Sequence, residues 1–211
     1  MQLKVQGFTV NGDKIMTARD ALEKLIEGNR RFRESRPEHP SADKAQRQKV
    51  LQGQAPFATI LSCSDSRVPP EIIFDRGIGE LFVIRVAGNI IDSTVKGSLA
   101  YAVKHLNCPL IIVLGHSSCG AVTAALLSDN ELKDEPVSIK HIVGDIRKNI
   151  PKTLSSDSPS ESLQDAVCEN VISVLNQIQA DETVAKAHED GTSGVKAAYY
   201  SPETGNVTFL D

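Results

Sequence analysis

The sequence lacks a long apolar run, an excess of basic residues and an apolar leader, and each absence excludes a class of partner or location. No stretch approaches the roughly 18 consecutive apolar residues that a membrane-spanning helix needs. Acidic residues outnumber basic ones by 27 to 23, whereas a nucleic acid or an acidic membrane would need a basic face. We therefore expect neither as a partner. Residues 1–6 form no signal peptide, so we expect a cytoplasmic location, although a targeting segment already removed would leave no trace.

Cysteine is also scarce, with four residues in a chain of 211, which argues against a disulfide framework. Such frameworks are typical of small secreted chains, whereas 211 residues are enough to bury a substantial core. Cys108 precedes an apolar run and Cys168 lies on the apolar side of a helical pattern, so we interpret both as small core residues or inert thiols. Cys63 and Cys119 need another explanation.

The chain is predicted to form a single domain over residues 1–211. Its composition, 40% hydrophobic and 24% charged, is that of a globular protein. Residues 1–53 are interpreted as an N-terminal arm with helices, the first of them capped by Thr17, and residues 54–211 as the core. Four arginines among acidic residues near the first helix are interpreted as a solvated face: Arg30, Arg31, Arg33 and Arg36.

Three apolar runs, at residues 57–61, 81–86 and 110–114, predict a central sheet. They are continuous rather than alternating, which is typical of strands covered on both faces. Because helical patterns separate them, we predict an α/β fold with a mostly parallel central β-sheet flanked by helices. Residues 195–200 and 207–210 flank a turn and predict a C-terminal hairpin at the sheet edge. The principal helices are predicted at residues 42–52, 94–106, 120–127 and 135–149, and from a cap at Ser160.

Reactive side chains follow the first predicted strand. Residues two apart on an extended backbone point the same way, so Cys63 and Asp65 share one side and Arg67 can fold back onto Asp65. Sites in α/β proteins lie at the carboxyl ends of strands, so a functional site is expected here. Cys63 and Arg67 are too close in sequence for the Cys-x5-Arg anion loop of a thiol phosphatase or rhodanese.

A second reactive turn, containing His116 and Cys119, follows the third predicted strand. Together with Cys63 and Asp65, it places two thiols, one imidazole and one carboxylate at the same end of one sheet, a ligand set suited to zinc. Either pair alone would be weak evidence, because such spacings arise by chance. The two pairs, each ending a strand-like run, predict a Zn²⁺ site in preference to two unrelated buried thiols.

The role of Asp65 decides whether that zinc site is open. Structural zinc sites have four protein ligands, whereas catalytic sites have three and a water, which the metal makes acidic near neutral pH. If Arg67 holds Asp65 in a bidentate pair, Cys63, His116 and Cys119 bind the metal and one position stays free. If Asp65 ligates the metal, the site is closed. The residues alone leave both arrangements open.

Three stretches resemble the β-class carbonic anhydrases: CSDSRV at residues 63–68, FVIRVAGN at 82–89 and HSSCGA at 116–121. The resemblance covers most of the chain and is densest between residues 54 and 122. It implies zinc-dependent, reversible hydration of CO2 to bicarbonate and a proton, the activity of a hydro-lyase. It also implies that Cys63, His116 and Cys119 are the metal ligands and that Asp65 and Arg67 are catalytic.

The resemblance further implies a substrate pocket. Gln54 falls where the plant-like subgroup of the family places a glutamine that donates to bound CO2 or bicarbonate. Phe82 and Tyr101 fall where that subgroup lines a narrow apolar pocket, and Ala87 falls at a small aliphatic position. The segment at residues 86–89 departs from the plant-like pattern by its glycine, but no ligand or catalytic residue is lost.

The resemblance implies a homodimer or a tetramer of dimers, with the site at the dimer interface and Gln54 supplied by the opposite subunit. Two alternatives remain: the same zinc site could act on CS2 or COS, or a closed zinc site could belong to a structural or regulatory module. Gln54 indicates the subgroup of the family in which the zinc site is open at neutral pH.

The remaining histidines are interpreted as surface or helix residues: His39, His105, His141 and His188.

Overall fold

A five-stranded sheet forms the centre of the described part of the protein, which in this computed structural model comprises residues 16–151 and 159–210. The strands are β1 Ala58–Ser62, β2 Leu81–Arg85, β3 Leu110–His116, β4 Gly194–Tyr200 and β5 Val207–Leu210. They lie in the order β2-β1-β3-β4-β5, with β5 antiparallel to β4 and the other pairings parallel. The predicted mostly parallel sheet and its edge hairpin are confirmed.

Helices cover both faces of this sheet. In the described ranges they are α1 Ala18–Arg33, α2 Lys44–Lys49, α3 Pro70–Ile73, α4 Ser93–Leu106, α5 Gly120–Leu126, α6 Val137–Asn149, α7 Pro159–Gln179 and α8 Glu182–Glu189. α7 begins before Ser160, so the prediction that Ser160 caps it is wrong. None of these helices is long and apolar enough to cross a membrane. The predicted arm before residue 16 lies outside the described ranges, and the single-domain assignment stays a prediction.

The helix starts follow from local sequence. Thr17 caps α1 in a capping box, in which its side chain accepts from the N–H of Asp20 and the Asp20 carboxylate accepts from the N–H of Thr17. The side chain of Asp92 caps α4 by accepting from the N–H of Val95. Such caps satisfy N–H groups that have no partner within the helix.

Alternate residues of β1 and β3 supply two separate apolar clusters, one on each face of the sheet. Leu61, Ile111 and Val113 pack into the cluster that includes residues of α4 to α8. Ile60 and Ile112 pack into the other, which includes residues of α1 and α3. β1 and β3 are buried throughout, whereas β2, at the sheet edge, is only partly covered. The two central strands are therefore rigid supports for the turns that follow them.

The prediction of a solvated arginine face on α1 is wrong for Arg31. Only 10% of its side chain is exposed, and its Nε donates to Oδ2 of the fully buried Asp75 at 2.6 Å. Asp75 also accepts from the backbone N–H groups of Glu38 and His39. Burial raises the pKa of Asp75, but these hydrogen bonds outweigh it and hold that pKa below its ordinary value. The periodic pattern of α1 did not show this partner because Asp75 lies 44 residues away.

Replacing Arg31 with leucine is expected to destabilise the fold by about 3 kcal/mol, because it leaves the buried Asp75 carboxylate without its ionic partner. Urea unfolding of the Arg31→Leu variant measures the loss. The control is Arg19→Leu, whose exposed pair with Glu23 contributes about 1 kcal/mol or less. Equal losses in the two variants would show that the Arg31–Asp75 pair has no special role.

Candidate metal centre

Three potential metal ligands come together where the two central strands end. Cys63 follows the last residue of β1, His116 ends β3, and Cys119 is the N-cap residue of α5. β1 and β3 are parallel neighbours, with Ser62 opposite Leu114, so their carboxyl ends reach the same edge of the sheet. The sequence prediction that both reactive turns meet at this edge is confirmed by their positions.

The geometry of this group fits a tetrahedral metal ion. One ligand atom from each of Cys63, His116 and Cys119 lies within 4.8 Å of the others, and the two sulfur atoms are 4.0 Å apart. Sulfurs that each bind zinc at about 2.3 Å in a tetrahedral arrangement would be roughly 3.8 Å apart. All three residues are buried, so a bound ion would be shielded from solvent on the protein side.

His116 presents an unpaired nitrogen to this group. Its Nδ1 lies 2.9 Å from the carbonyl oxygen of Ser117, and because a carbonyl can only accept, Nδ1 carries the proton. Nε2 is then the basic nitrogen, and it is buried without a hydrogen-bond partner among the described residues. Fixing one ring nitrogen through a hydrogen bond is the usual way to aim the other at a metal. The orphaned Nε2 therefore supports a metal ligand role.

The two thiols interact closely, with their sulfur atoms 4.0 Å apart. The hydrogen bond from Cys119 is the main cause that lowers the pKa of Cys63 to about 4, against the opposing effect of burial. The same interaction and burial raise the pKa of Cys119. Metal-binding cysteines must be deprotonated, so a lowered pKa of Cys63 favours the binding of a cation.

Asp65 is held by Arg67 in a bidentate pair. Nε of Arg67 donates to Oδ1 at 2.9 Å and Nη2 donates to Oδ2 at 2.7 Å, while the backbone N–H of Arg67 also donates to Oδ1. Nη2 further donates to the carbonyl of Ser118, in the turn before Cys119. The hydrogen bond from the Arg67 side chain is the main cause that holds the pKa of Asp65 well below its ordinary value. Asp65 is therefore ionised and oriented.

Arg85 is a site residue that sequence reasoning missed. It ends β2 opposite Ser62, and its guanidinium donates to the carbonyl oxygens of Cys63 at 3.1 Å and Asp65 at 2.6 Å. It thereby ties the turn after β1 to the neighbouring strand. The sequence does show a charged residue at the end of an otherwise apolar strand. That strand ends at the same edge of the sheet as the candidate metal ligands.

The turn after β2 contacts Cys63 directly. Ala87–Asn89 forms a short 3-10 segment with a kink at Gly88, and the N–H of Gly88 donates to Sγ of Cys63 at 3.4 Å. Gly88 adopts φ 68°, which favours glycine. A Cβ there would lie 2.5 Å from Cδ1 of Ile146. Ala87 directly precedes Gly88 in this turn, and its predicted contact with substrate stays a prediction.

The predicted pocket residues are only partly brought together. The rings of Phe82 and Tyr101 are 6.2 Å apart between centroids, and the Tyr101 ring is 5.3 Å from that of His105. His105, which the sequence did not connect with any site, therefore belongs to this aromatic group. Gln54 is exposed in the single chain, away from any contact with this aromatic group that the structure shows.

The fold and the ligand group define an α/β protein with a candidate metal centre at the carboxyl ends of its central parallel strands. The family model described as "Carbonic anhydrase" matches residues 58–207. A carbonic anhydrase of Mycolicibacterium smegmatis is 37% identical over 188 residues, which cover 89% of this chain and 90% of that protein. The chain belongs to the β-carbonic anhydrase family.

Other relatives agree with this assignment. Carbonic anhydrase 2 of Mycobacterium tuberculosis is 56% identical over 111 residues, or 53% of this chain, and the match spans about half of that relative, 54% of its length. The solved structure of the β-carbonic anhydrase CcaA superposes with a TM-score of 0.74 at 30% identity, covering 90% of this chain and 87% of that one. The Coccomyxa β-carbonic anhydrase in complex with acetazolamide has a TM-score of 0.71 at 31% identity, covering 90% of this chain and 86% of that one.

Proposed function

We propose that this chain catalyses the reversible hydration of CO2 to bicarbonate and a proton, with a zinc ion held by Cys63, His116 and Cys119. Family membership supports the reaction. The donor set supports the metal, because two thiolates and an imidazole suit zinc better than magnesium or calcium. When bound, zinc would act as a Lewis acid that makes a coordinated water acidic.

The observation that carries this proposal is the Asp65–Arg67 pair. Both carboxylate oxygens of Asp65 are engaged by Arg67, and Oδ2 lies 4.0 Å from Nε2 of His116. Asp65 therefore stands beside the ligand group without being required to complete it. Three protein ligands with one open position is the arrangement of catalytic zinc sites.

Asp65 has a defined task in this arrangement. Because Arg67 holds its pKa low, Asp65 remains an ionised acceptor across the neutral range. It can accept a hydrogen bond from a water or bicarbonate proton at the open position and fix its orientation. Arg67 supplies no proton in this scheme; its guanidinium positions the carboxylate and links it to the Ser118 carbonyl.

The substrate side of the site is assigned to Phe82, Ala87 and Tyr101. CO2 is uncharged, so an apolar slot beside the open position suits it, together with one donor for the developing oxyanion charge. The paired rings of Phe82 and Tyr101 support such a slot. We assign the donor to Gln54 of a second subunit, because Gln54 is exposed in the single chain.

A homodimer, or a tetramer of dimers, follows from this assignment. The exposed Gln54 and the partly covered edge strand β2 are surfaces that a second copy would cover. The cytoplasmic location expected from the sequence stays a prediction.

Stopped-flow CO2 hydration tests the proposal directly. Zinc-loaded protein is expected to accelerate hydration well above the buffer rate, and protein stripped by a chelator is expected to match the buffer until zinc is restored. Equal rates for the zinc-loaded and stripped forms at neutral and mildly alkaline pH would overturn the proposal. Hydrolysis of CS2 or COS without CO2 hydration would instead support the sulfur-analogue alternative.

A further inference from the structure

Asn170 of α7 contacts the turn that donates to Cys63. Its Nδ2 donates to the carbonyl oxygen of Gly88 at 2.9 Å, across 82 residues of sequence, and Asn170 is fully buried. The N–H of the same glycine donates to Sγ of Cys63. The backbone of Gly88 thus accepts a hydrogen bond from α7 through its carbonyl and donates one to a proposed metal ligand through its N–H.

The orientation of the Asn170 amide is fixed by further hydrogen bonds. Its Oδ1 accepts from Nδ2 of Asn149, the last residue of α6, at 2.9 Å. Oδ1 of Asn149 in turn accepts from Ser173 and Gln177 of α7, each at 2.9 Å. Because Asn149 donates to Oδ1, the nitrogen of the Asn170 amide must face Gly88. This network joins α6 and α7 to the Gly88 turn.

Side chains of α5 and α6 also pack tightly against the Gly88 turn. A Cβ at Gly88 would lie 2.5 Å from Cδ1 of Ile146 in α6 and 3.2 Å from Cβ of Ala121 in α5. α7 also packs on the strand that carries His116, where a Cβ at Gly115 would lie 2.5 Å from Cγ2 of Val171. The turn therefore has little room to move.

We propose that Asn170 is a positioning residue for the metal centre: it holds the carbonyl of Gly88 and so fixes the backbone of this residue, whose N–H in turn orients the Sγ of Cys63. This inference rests on the proposed zinc site and adds to it a residue on a distant helix. Hydrogen bonds to a metal-binding thiolate orient the sulfur and stabilise its charge. Without Asn170, the Gly88 carbonyl and the Asn149 amide would each lose a buried partner, and the turn would shift to recover one.

The test compares zinc affinity in Asn170→Leu, which keeps the branched shape of the side chain but has no amide, with wild type. Chelator competition is expected to show a zinc Kd raised by about 10–100-fold, the usual cost of losing a group that orients a metal ligand. In the cobalt-substituted protein, the thiolate-to-metal charge-transfer absorption is expected to change in intensity and position. Asn170→Ser, a smaller change, is expected to show the same effects if the leucine variant does not fold.

Val174→Ala is the matched control. Val174 lies one turn further along α7, is fully buried and packs in the same core, so its truncation destabilises the helix without touching Gly88. We expect it to bind zinc as tightly as wild type with an unchanged cobalt spectrum. An Asn170 variant that folds and matches wild type in both measurements would overturn the inference while leaving the proposed function intact. A wild type that binds no zinc would overturn both.

Discussion

A Cys119→Ser variant is expected to lose zinc and, with it, CO2 hydration. The serine hydroxyl is not ionised near neutral pH, so one of three protein ligands would be replaced by a weak neutral oxygen. The zinc Kd should therefore rise by more than the roughly 10–100-fold that follows from losing a hydrogen bond to a ligand. The rate of CO2 hydration should fall to that of the chelator-stripped protein. Metal analysis after dialysis and stopped-flow assays measure the two effects.

Cys108→Ser is the matched control for that experiment. Cys108 is equally buried and accepts a hydrogen bond from the Thr59 hydroxyl at 3.2 Å, a contact that serine can reproduce. Burial raises the pKa of this thiol, as expected for an inert one. The control variant should keep zinc and activity. Retention of stoichiometric zinc and full activity in Cys119→Ser would contradict the proposed ligand set.

An Arg67→Leu variant is expected to keep zinc but lose at least about 100-fold in CO2 hydration, because the positioned carboxylate loses its orientation. Without the guanidinium, Asp65 has no bidentate partner. Its Oδ2 lies only 4.0 Å from Nε2 of His116, so a small side-chain rotation would bring it to the ligand group. Asp65 is then free to fill the open position and close the site. Zinc content and stopped-flow rates measured together separate this outcome from simple metal loss.

A double-mutant comparison tests whether Arg67 acts through Asp65. If it does, Asp65→Asn/Arg67→Leu should be no less active than Asp65→Asn alone, because the second change removes a partner already lost. Arg67→Lys should be intermediate, since lysine keeps the charge but not the planar fork. Additive losses would show that Arg67 has a separate role.

The sheet and the meeting of Cys63, His116 and Cys119 at its edge were predictable from the sequence because their signals are local. Continuous apolar runs indicated buried strands, and the reactive residues that end them, Cys63 and His116, had to meet at one edge of a parallel sheet. The short helices α3 and α8 were not predicted, since four and eight residues carry too little periodicity.

The support around the site was not predictable, because it comes from distant residues. Arg85 resembles an ordinary charged residue at a strand end, and only the structure shows that its guanidinium donates to carbonyl oxygens on the turn after β1. Asn170 lies 82 residues from Gly88 and resembles any polar helix residue. The burial of Arg31 likewise depends on a partner in a distant turn. Such contacts carry no periodic or spacing signal in a single sequence.

Gln54 is proposed to contact the substrate of a second subunit and has no proposed role in holding the metal. A Gln54→Ala change would leave the metal ligands untouched, and zinc binding should be unaffected by it.

The central claim is that Arg67 keeps Asp65 off the metal and so leaves one coordination position open. A crystal structure of the zinc-loaded protein at neutral pH tests it most directly. We predict zinc bound by Cys63, His116 and Cys119, with Asp65 still paired to Arg67. An Asp65 oxygen at about 2.0–2.2 Å from zinc, as fourth ligand, would contradict the claim and favour a closed, non-catalytic site.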